Sequence, residues 1–347
     1  MKLLNSRSLI FYSLNSICFL AEKNGYLRTR FTLDFYKKFN TLINLMASFQ
    51  HSLLKLSLQT ASYAFQFSKP SVSGLRGILE ALSVYHLLPW GTNFEPLDID
   101  GMYAEWIIPA HKRPDKVLFY LHGGAYAVGS PHTHRTFVGQ ITKKTGIRAL
   151  VIDYRKAPEH QFPAALDDAI KAYNFLIAEG YLPQNIMLGG DSAGGGLCIS
   201  LLLWLRDNKK TLPKGAVLLS PWVDLEITGD SIIANLSHDR VLSSLELQDM
   251  GVKYAGKTPL NHPLISPLNA ELSGLPPLLI QTSDSEVLYS DATRLAEKAE
   301  KAGVTVTLQV WEGLIHWWHL FWNILPEGSE AINEIEKFVR AEMKLKV

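Results

Sequence analysis

The sequence predicts an α/β protein whose strands form a largely parallel sheet. From Val117 onward, short continuous runs of apolar residues alternate with stretches of helical spacing, which is typical of a sheet covered by helices on both faces. With 347 residues, of which 47% are hydrophobic and 19% charged, the chain is long enough to bury one sizeable core. We find no internal repeat and no low-complexity tract that would favour another class of fold.

Charge and cysteine content restrict the partners. Lys and Arg number 34 against 33 Asp and Glu, so the formal net charge of +1 offers no basic excess for nucleic acid. Cys18 and Cys198 lie far apart, and neither has a second cysteine or a nearby histidine at metal-ligand spacing. We therefore expect two free thiols, no metal, no cofactor and a small-molecule partner, while the oligomeric state stays open.

The first ninety residues follow a different pattern. From Phe31 to about Leu88 apolar side chains recur at three- and four-residue spacing without a convincing strand, which predicts a helical N-terminal cap region at 1–90. An apolar run at 9–21, preceded by Lys2 and Arg7, loosely resembles a signal peptide, but polar residues interrupt it and it is too short to span a bilayer. We favour an amphipathic helix that packs on the body or contacts a membrane peripherally. We expect a cytoplasmic protein, with an exported or membrane-associated form as the alternative.

Residues 91–347 are predicted to form the second domain. Turn and short-strand signals at 89–106 precede the alternation of strands and helices. Strands are predicted at 117–121 and 149–152, from Ile186 running into the turn at Ser192, and at 216–219, 277–280 and 305–310. Helices are predicted after His134 and at 165–177, 197–205, 292–302 and 330–344. The stretch 224–263 does not fit the alternation, and we interpret it as an insertion that adds to the cap.

A serine between glycines follows the apolar strand predicted from Ile186. Gly190, Ser192 and Gly194 fit the pattern G-x-S-x-G, in which a tight strand-to-helix turn presents a serine hydroxyl as a nucleophile. Glycine is needed because the turn brings strand and helix too close together for side chains. Three fixed positions also arise by chance, but an apolar strand before Ser192 and an apolar helix after it give the required context. Ser192 is therefore the predicted nucleophile.

Backbone donors for an oxyanion are predicted at two places. A serine that attacks a carbonyl creates negative charge on the carbonyl oxygen, which N–H groups stabilise. Gly123 and Gly124 come directly after His122 and a predicted strand, and their N–H groups would face the substrate. Ala193, next to the nucleophile, would supply a third N–H group. The alternative for residues 122–124 is an ordinary glycine turn.

Together these motifs resemble the hormone-sensitive-lipase family of α/β-hydrolases, which includes bacterial carboxylesterases and arylacetamide-deacetylase-like enzymes. The resemblance extends from about residue 115 to the C-terminus and rests on blocks at 122–125, 153–164, 190–195, 220–225 and 266–268. It implies an α/β-hydrolase fold, a mostly parallel sheet with helices on both faces, and a helical cap. The first hundred residues resemble the family only in their helical pattern.

A histidine after the last predicted strand is the candidate base. The chain order nucleophile, acid, base of these hydrolases places the base there, and His316 matches the block of the family. His319 is the rival, which we interpret as packing against an aromatic turn. Four other histidines are interpreted as loop or insertion residues, namely His132, His134, His160 and His262.

The acid is a choice between two residues. Asp284 and Glu286 both follow the strand predicted at 277–280, and their positions alone do not separate them. The family usually has Asp-Pro-Leu here, and aligning its leucine with Leu288 places Glu286 at the acid position. The resemblance therefore favours Glu286, with Asp284 as the runner-up. We expect structural roles for Asp191, beside the nucleophile, and for Asp291, at the start of a helix.

The resemblance implies a serine carboxylesterase that hydrolyses small to medium carboxylic esters through an acyl-enzyme. The same residues would serve an acyltransferase or an amide deacetylase, because an alcohol can intercept the acyl-enzyme and an amide can enter the first step. A non-catalytic ligand-binding protein is a third alternative, as in the similar plant gibberellin receptors, where the base is replaced. The presence of His316 counts against it.

Overall fold

The computed structural model describes residues 48–57, 71–83, 88–111, 113–239 and 244–345. The expectations for the apolar run at 9–21 and for Cys18 lie outside these residues, as does most of the predicted cap region at 1–90. None of the described helices has both the length and the apolar character needed to cross a membrane.

The described strands form one sheet with a parallel majority. Their bounds are β1 Thr92–Ile99, β2 Met102–Pro109, β3 Arg113–Leu121, β4 Ile147–Ile152, β5 Ile186–Asp191, β6 Gly215–Leu219, β7 Leu278–Ser283 and β8 Val306–Trp311. The order across the sheet is β1-β2-β4-β3-β5-β6-β7-β8. β2 runs antiparallel to both β1 and β4, and all other neighbours are parallel. The sheet is that of an α/β-hydrolase fold.

The short-strand signals at 89–106 correspond to two full strands. β1 and β2 have eight residues each and pair along their whole length as a hairpin. β1 escapes a search for apolar runs because most of its residues are exposed or half-buried, with Asn93, Glu95 and Asp98 between the apolar ones. A strand at the edge of a sheet needs only one apolar face, so its pattern is weaker than that of a central strand.

Helices cover both faces of the sheet. Their bounds are α1 Val72–Ser83, α2 Pro131–Thr145, α3 Ala164–Ala178, α4 Ala193–Asp207, α5 Ser231–Ala234, α6 Ser244–Ala255, α7 Tyr289–Lys301 and α8 Pro326–Glu342. Residues 49–57 are helical as well. On one face, Ile141 of α2 and Ile335 of α8 belong to one apolar cluster; on the other, Leu197 of α4 and Leu295 of α7 belong to a second.

The central strand β3 shows why its sequence is continuously apolar. Val117, Phe119 and Leu121 join the cluster of α4 and α7, whereas Leu118 and Tyr120 join the cluster of α2 and α8. All five are buried. Because successive side chains of a strand point to opposite faces, a strand covered on both sides must be apolar at every position. β3 ends directly before His122, which places the predicted oxyanion loop at the carboxyl edge of the sheet.

The interpretation of His132 and His134 as loop residues is wrong, because α2 begins at Pro131. Ser130 caps this helix: its Oγ accepts from the N–H of Thr133, and the Thr133 hydroxyl lies 3.0 Å from the Ser130 amide nitrogen, from which it accepts. A serine followed by proline at the first helical position is a helix-start signal that can be read from the sequence.

Two helices from the predicted cap regions contact the loop that follows β3. The ring of Tyr254 in α6 stacks on Tyr126, with ring centres 3.7 Å apart. Arg76 in α1 donates to the carbonyl oxygens of Ala127 and Ala157, both at 2.6 Å. The domain limits at residues 90 and 224–263 stay predictions, but both regions provide side chains that hold this loop.

Candidate active site

Ser192 lies in a strained turn between β5 and α4. Its φ of 52° and ψ of −123° are far from the angles that a non-glycine residue prefers, which is the backbone expected of a nucleophile elbow. A side chain at Gly194 would place its Cβ 2.0 Å from the carbonyl oxygen of Leu121, and one at Gly190 would approach Gly194 to 2.5 Å. The glycines are therefore required by the close approach of strand, helix and neighbouring loop.

Glu286 and His316 form a buried pair. Nδ1 of His316 donates to Oε2 of Glu286 at 2.7 Å, and both side chains are fully buried. The other carboxylate oxygen of Glu286 accepts from Oγ of Ser220 at 2.8 Å and from the backbone N–H of Ser283 at 2.9 Å. These bonds fix the carboxylate, which in turn fixes the tautomer and orientation of the imidazole. Nε2 of His316 is then left as the acceptor.

The pair also sets its own electrostatics. Burial opposes the charged imidazolium, but the hydrogen bond and negative charge of Glu286 outweigh it and raise the pKa of His316 above 6.5. Burial raises the pKa of Glu286, and the hydrogen bonds from His316 and Ser220 act against that rise. Such an imidazole is a strong base and keeps a stabilising partner after it takes a proton.

The structure separates the two acid candidates. Asp284 is exposed, and its Oδ1 accepts from the backbone N–H of Gly313 at 2.8 Å and from the Ser285 hydroxyl at 3.1 Å. No hydrogen bond joins Asp284 to His316 among the described residues. Glu286 is thus the carboxylate brought to His316, and Asp284 holds the loop in front of it.

The rival base His319 is placed differently. It is buried, stacks on Trp318 with ring centres 3.8 Å apart, and meets Phe137 edge to face. Burial lowers the pKa of His319 to about 3, so the ring stays neutral. Within the described part of the chain its Nε2 has no hydrogen-bond partner. This is the packing role expected from the sequence.

Strand order brings the three residues to one edge of the sheet. Ser192 follows β5 directly, while Glu286 and His316 follow β7 and β8 within a few residues. β5, β6, β7 and β8 are parallel neighbours, so their carboxyl ends lie side by side. Ligands of open α/β sheets bind at this edge. In the described structure Nε2 of His316, buried at this edge, has no hydrogen-bond partner.

The loop after β3 offers some of the predicted backbone donors but not all. The N–H of Gly123 already donates to Oδ1 of Asp191 at 3.0 Å, so the prediction of Gly123 as an oxyanion donor needs correction. Gly124 has φ of 117°, and Ala125 has φ of 52°. Neither of their N–H groups has an acceptor among the described residues. Ala193 begins α4, where the first N–H groups of a helix have no intrahelical acceptor.

Asp191 supports this loop, as the structural role expected for it requires. Besides Gly123, it accepts from the Tyr120 hydroxyl at 2.8 Å and from Nε2 of His134 at 3.3 Å. Burial alone would raise the pKa of Asp191, but the charge and hydrogen bond of His134, together with Tyr120, bring it to about 2. A side chain at Gly123 would meet the Asp191 carboxylate at 2.1 Å, which explains the glycine there.

His122 braces the same loop from inside. Its Nδ1 donates to the carbonyl oxygen of Gly123 at 2.7 Å, and its ring stacks on Tyr154 at 4.2 Å. The Tyr154 hydroxyl donates to the carbonyl oxygen of His122 at 2.8 Å. The residues that hold this loop and the Glu286 carboxylate in place were not predicted from the sequence, because they come from separate elements with no fixed spacing. They are Tyr120, His134, Tyr154, Ser220 and Ser283.

The structure also describes two further residues with a predicted role, Cys198 and Asp291. Cys198 is buried and free, as expected. No group of three or more His, Cys, Asp or Glu side chains within the described ranges has the arrangement of a metal site. Asp291 does more than complement a helix dipole, because its Oδ2 accepts from the N–H groups of Val223 and Asp224, both at 2.9 Å. Burial raises the pKa of Asp291 to about 7.

Comparison with known proteins also indicates an α/β-hydrolase. A family model described as an alpha/beta hydrolase fold matches residues 118–320. An acetyl-hydrolase of Streptomyces hygroscopicus is 43% identical over 237 residues, which are 68% of this chain and 79% of that protein. An esterase of Acinetobacter venetianus is 33% identical over 84% of this chain and 94% of its own length.

A solved structure matches most of this chain. It is the crystal structure of an esterase from the bacterial hormone-sensitive lipase family, with 39% sequence identity and a TM-score of 0.81. The match covers 86% of this chain and all of the other chain. With the elbow at Ser192 and the Glu286–His316 pair at one sheet edge, this chain belongs to the hormone-sensitive-lipase family of α/β-hydrolases.

Proposed function

We propose that Ser192 hydrolyses carboxylic esters through an acyl-enzyme intermediate, with His316 as base and Glu286 as the acid that orients it. The protein is a carboxylic ester hydrolase by its family and by its relatives. The observation that carries the residue assignment is the 2.7 Å hydrogen bond between His316 and Glu286 at the sheet edge where the elbow presents Ser192.

The proposed first half-reaction transfers the acyl group to the enzyme. Nε2 of His316 takes the proton of the Ser192 hydroxyl while Oγ attacks the ester carbonyl carbon, giving a tetrahedral oxyanion. The C–O bond to the alcohol then breaks, and the alcohol leaves with the proton from His316. Catalytic hydrogen bonds are often long in free enzymes, so the unpartnered Nε2 is compatible with this role.

The second half-reaction regenerates the serine. His316 takes a proton from a water molecule, whose oxygen attacks the acyl carbon of the Ser192 ester. The acid product leaves as the proton returns to Oγ of Ser192. The negative charge of Glu286 stabilises the imidazolium in both halves, and its bonds with Ser220 and Ser283 keep it in place.

For the oxyanion we propose the N–H groups of Gly124, Ala125 and Ala193. Gly124 and Ala193 are kept from the sequence prediction, and Ala125 replaces Gly123, whose N–H is occupied by Asp191. The positive φ values of Gly124 and Ala125 and the absence of acceptors for their N–H groups in the described structure support this choice. Gly123 instead fixes the loop to the elbow residue Asp191.

The substrates are proposed to be small to medium esters, with acetyl esters among the first to test because one relative is an acetyl-hydrolase. Residues 1–90 and the insertion at 224–263 are proposed to form the cap that limits the acyl chain. The N-terminal part of the cap is proposed to contact membrane or lipid peripherally, and the protein is proposed to be cytoplasmic. The oligomeric state is left open.

The test compares wild type with Ser192→Ala on p-nitrophenyl esters of increasing acyl length. We expect kcat for the acetyl to hexanoyl esters to fall on the order of 10⁵-fold in the variant. Rates that persisted unchanged in Ser192→Ala would overturn the assignment. Product analysis with an added alcohol separates the alternatives: a transferred acyl group would identify an acyltransferase, and free acid alone identifies a hydrolase.

A further inference from the structure

A histidine from the N-terminal region reaches the loop that carries the catalytic base. His51 lies in the helical segment 49–57 and is only 2% exposed. Its Nε2 accepts a hydrogen bond at 3.1 Å from the backbone N–H of Ile315, the residue directly before His316. The two residues are 264 positions apart in sequence, so only the fold brings them together.

Each of the four residues from Gly313 to His316 donates a hydrogen bond that holds this loop. The backbone N–H groups of the first three and the imidazole of the fourth are the donors. The acceptors, in chain order, are Oδ1 of Asp284, Oγ of Ser283, Nε2 of His51 and Oε2 of Glu286. Three acceptors come from the last residue of β7 and the loop after it, and His51 alone among these four comes from another part of the chain.

The backbone of His51 is itself anchored. The hydroxyl of Ser48 accepts from the backbone N–H of His51 at 3.2 Å. Ser48 in turn donates to Glu327 at the start of α8, through its N–H at 2.6 Å and its hydroxyl at 2.9 Å. Ser48, His51 and Glu327 are all buried. The helical segment is thus tied to the body by charge-assisted hydrogen bonds beside the loop.

We propose that His51 is a positioning residue for the reaction, which holds the backbone at Ile315 so that the imidazole of His316 faces Ser192. This inference rests on the proposed role of His316. Ile315 is buried, so its N–H has no solvent to replace the bond. Without this acceptor, the loop must move before the N–H of Ile315 can find another one. His316 is the next residue, so its imidazole would move with the loop.

The role requires a neutral ring, because a protonated Nε2 becomes a donor and faces another donor. The surroundings favour that form. Burial lowers the pKa of His51, Glu327 acts in the opposite direction, and Lys55 lowers it further. A buried histidine kept neutral with one nitrogen directed at an amide is suited to act as an acceptor.

The experiment uses a matched pair of variants in the full-length protein. In His51→Gln the amide oxygen reaches the position of Nε2 and can accept from Ile315, whereas in His51→Asn it reaches only the position of Nδ1. Ser57→Ala, an exposed position on the same helical segment, serves as the control. For each variant kcat and KM for p-nitrophenyl acetate are measured, with active enzyme counted by serine titration with an organophosphate.

We expect His51→Asn to lose about tenfold in kcat per titrated site with KM changed less than about twofold, the effect of one misplaced hydrogen bond. His51→Gln and Ser57→Ala should stay within about threefold of wild type in kcat. Equal kcat per titrated site in the Gln and Asn variants would overturn the inference. A loss of stability common to both variants, with no effect on the loop, would give this result. Failure of the proposed function is distinguishable, because it would show as activity retained in Ser192→Ala.

Discussion

The nucleophile side and the acid–base side of this site are built by different means. Around Ser192 the arrangement depends on the backbone: the positive φ at the serine, the crowded positions of Gly190 and Gly194, and a helix that starts one residue later. Around His316 the arrangement depends on side chains, since Glu286 accepts a hydrogen bond from the imidazole and another from Ser220. The first arrangement is formed mainly by consecutive residues from Gly190 to Gly194, whereas the second spans three strands.

The difference determines how each side responds to change. A Cβ added at Gly194 would lie 2.0 Å from the carbonyl oxygen of Leu121, so substitutions there act through stability and displace the neighbouring backbone. A hydrogen-bonded side-chain pair keeps its shape when one atom is exchanged, so substitutions there act on the chemistry. Each of the following predictions tests one side against the other.

After the loss expected in Ser192→Ala, the largest effect is expected on the acid–base side. Glu286→Gln keeps the shape of the side chain but removes the charge that stabilises the imidazolium, so kcat should fall on the order of 10⁴-fold. Asp284→Asn should lower kcat by less than about tenfold, because the amide oxygen can still accept from Gly313. Steady-state kinetics on p-nitrophenyl acetate measure both. A loss confined to Asp284→Asn would reverse the acid assignment.

The next effect is expected on the nucleophile side. Gly194→Ala should lower the free energy of unfolding by about 3 kcal/mol, because its Cβ collides with backbone rather than with a flexible side chain. Gly77→Ala in α1 is the control: no atom lies within 4 Å of its Cβ, and alanine in a helix should stabilise by about 0.5–1 kcal/mol. Urea unfolding measures both. Equal stabilities would contradict the packing argument for the elbow.

The smallest effect concerns pH. His316 must be neutral to accept the serine proton, and its pKa is raised above 6.5 by Glu286. kcat/KM on an uncharged ester should therefore fall about tenfold per pH unit below that raised pKa. In the residual activity of Glu286→Gln the acid limb should move to lower pH, because burial then acts on the ring without the carboxylate charge. An acid limb that did not move would argue that another group controls it.

The pH profile also discriminates between the two histidines after β8. His319 has a pKa of about 3, so its titration cannot produce an acid limb above pH 6.5. A limb in that range that responds to Glu286→Gln assigns the base to His316, whose ring is hydrogen-bonded to that carboxylate. The acid–base side can thus be tested by titration, whereas the nucleophile side is tested by stability.

Prediction from the sequence worked best where the chemistry lies in consecutive residues. The strand, the serine and the glycines of the elbow were readable because a sharp turn restricts residue types at fixed spacing. The choice between Asp284 and Glu286 needed the resemblance to a family, since two residues of similar charge two positions apart carry no signal of which one points at His316. The edge strand β1 and the start of α2 were not predicted at their full length, because neither contains an apolar run.

The sequence by itself predicted the fold class, the proposed nucleophile and the histidine proposed as its base. Only the tertiary structure decided which atoms meet: that Asp191 takes the N–H of Gly123, that Asp284 holds Gly313, and that His51 reaches Ile315. The physical reason is that backbone sterics and apolar periodicity act between near neighbours along the chain. Hydrogen bonds between distant elements depend instead on strand order and loop course, which leave no regular spacing in the sequence.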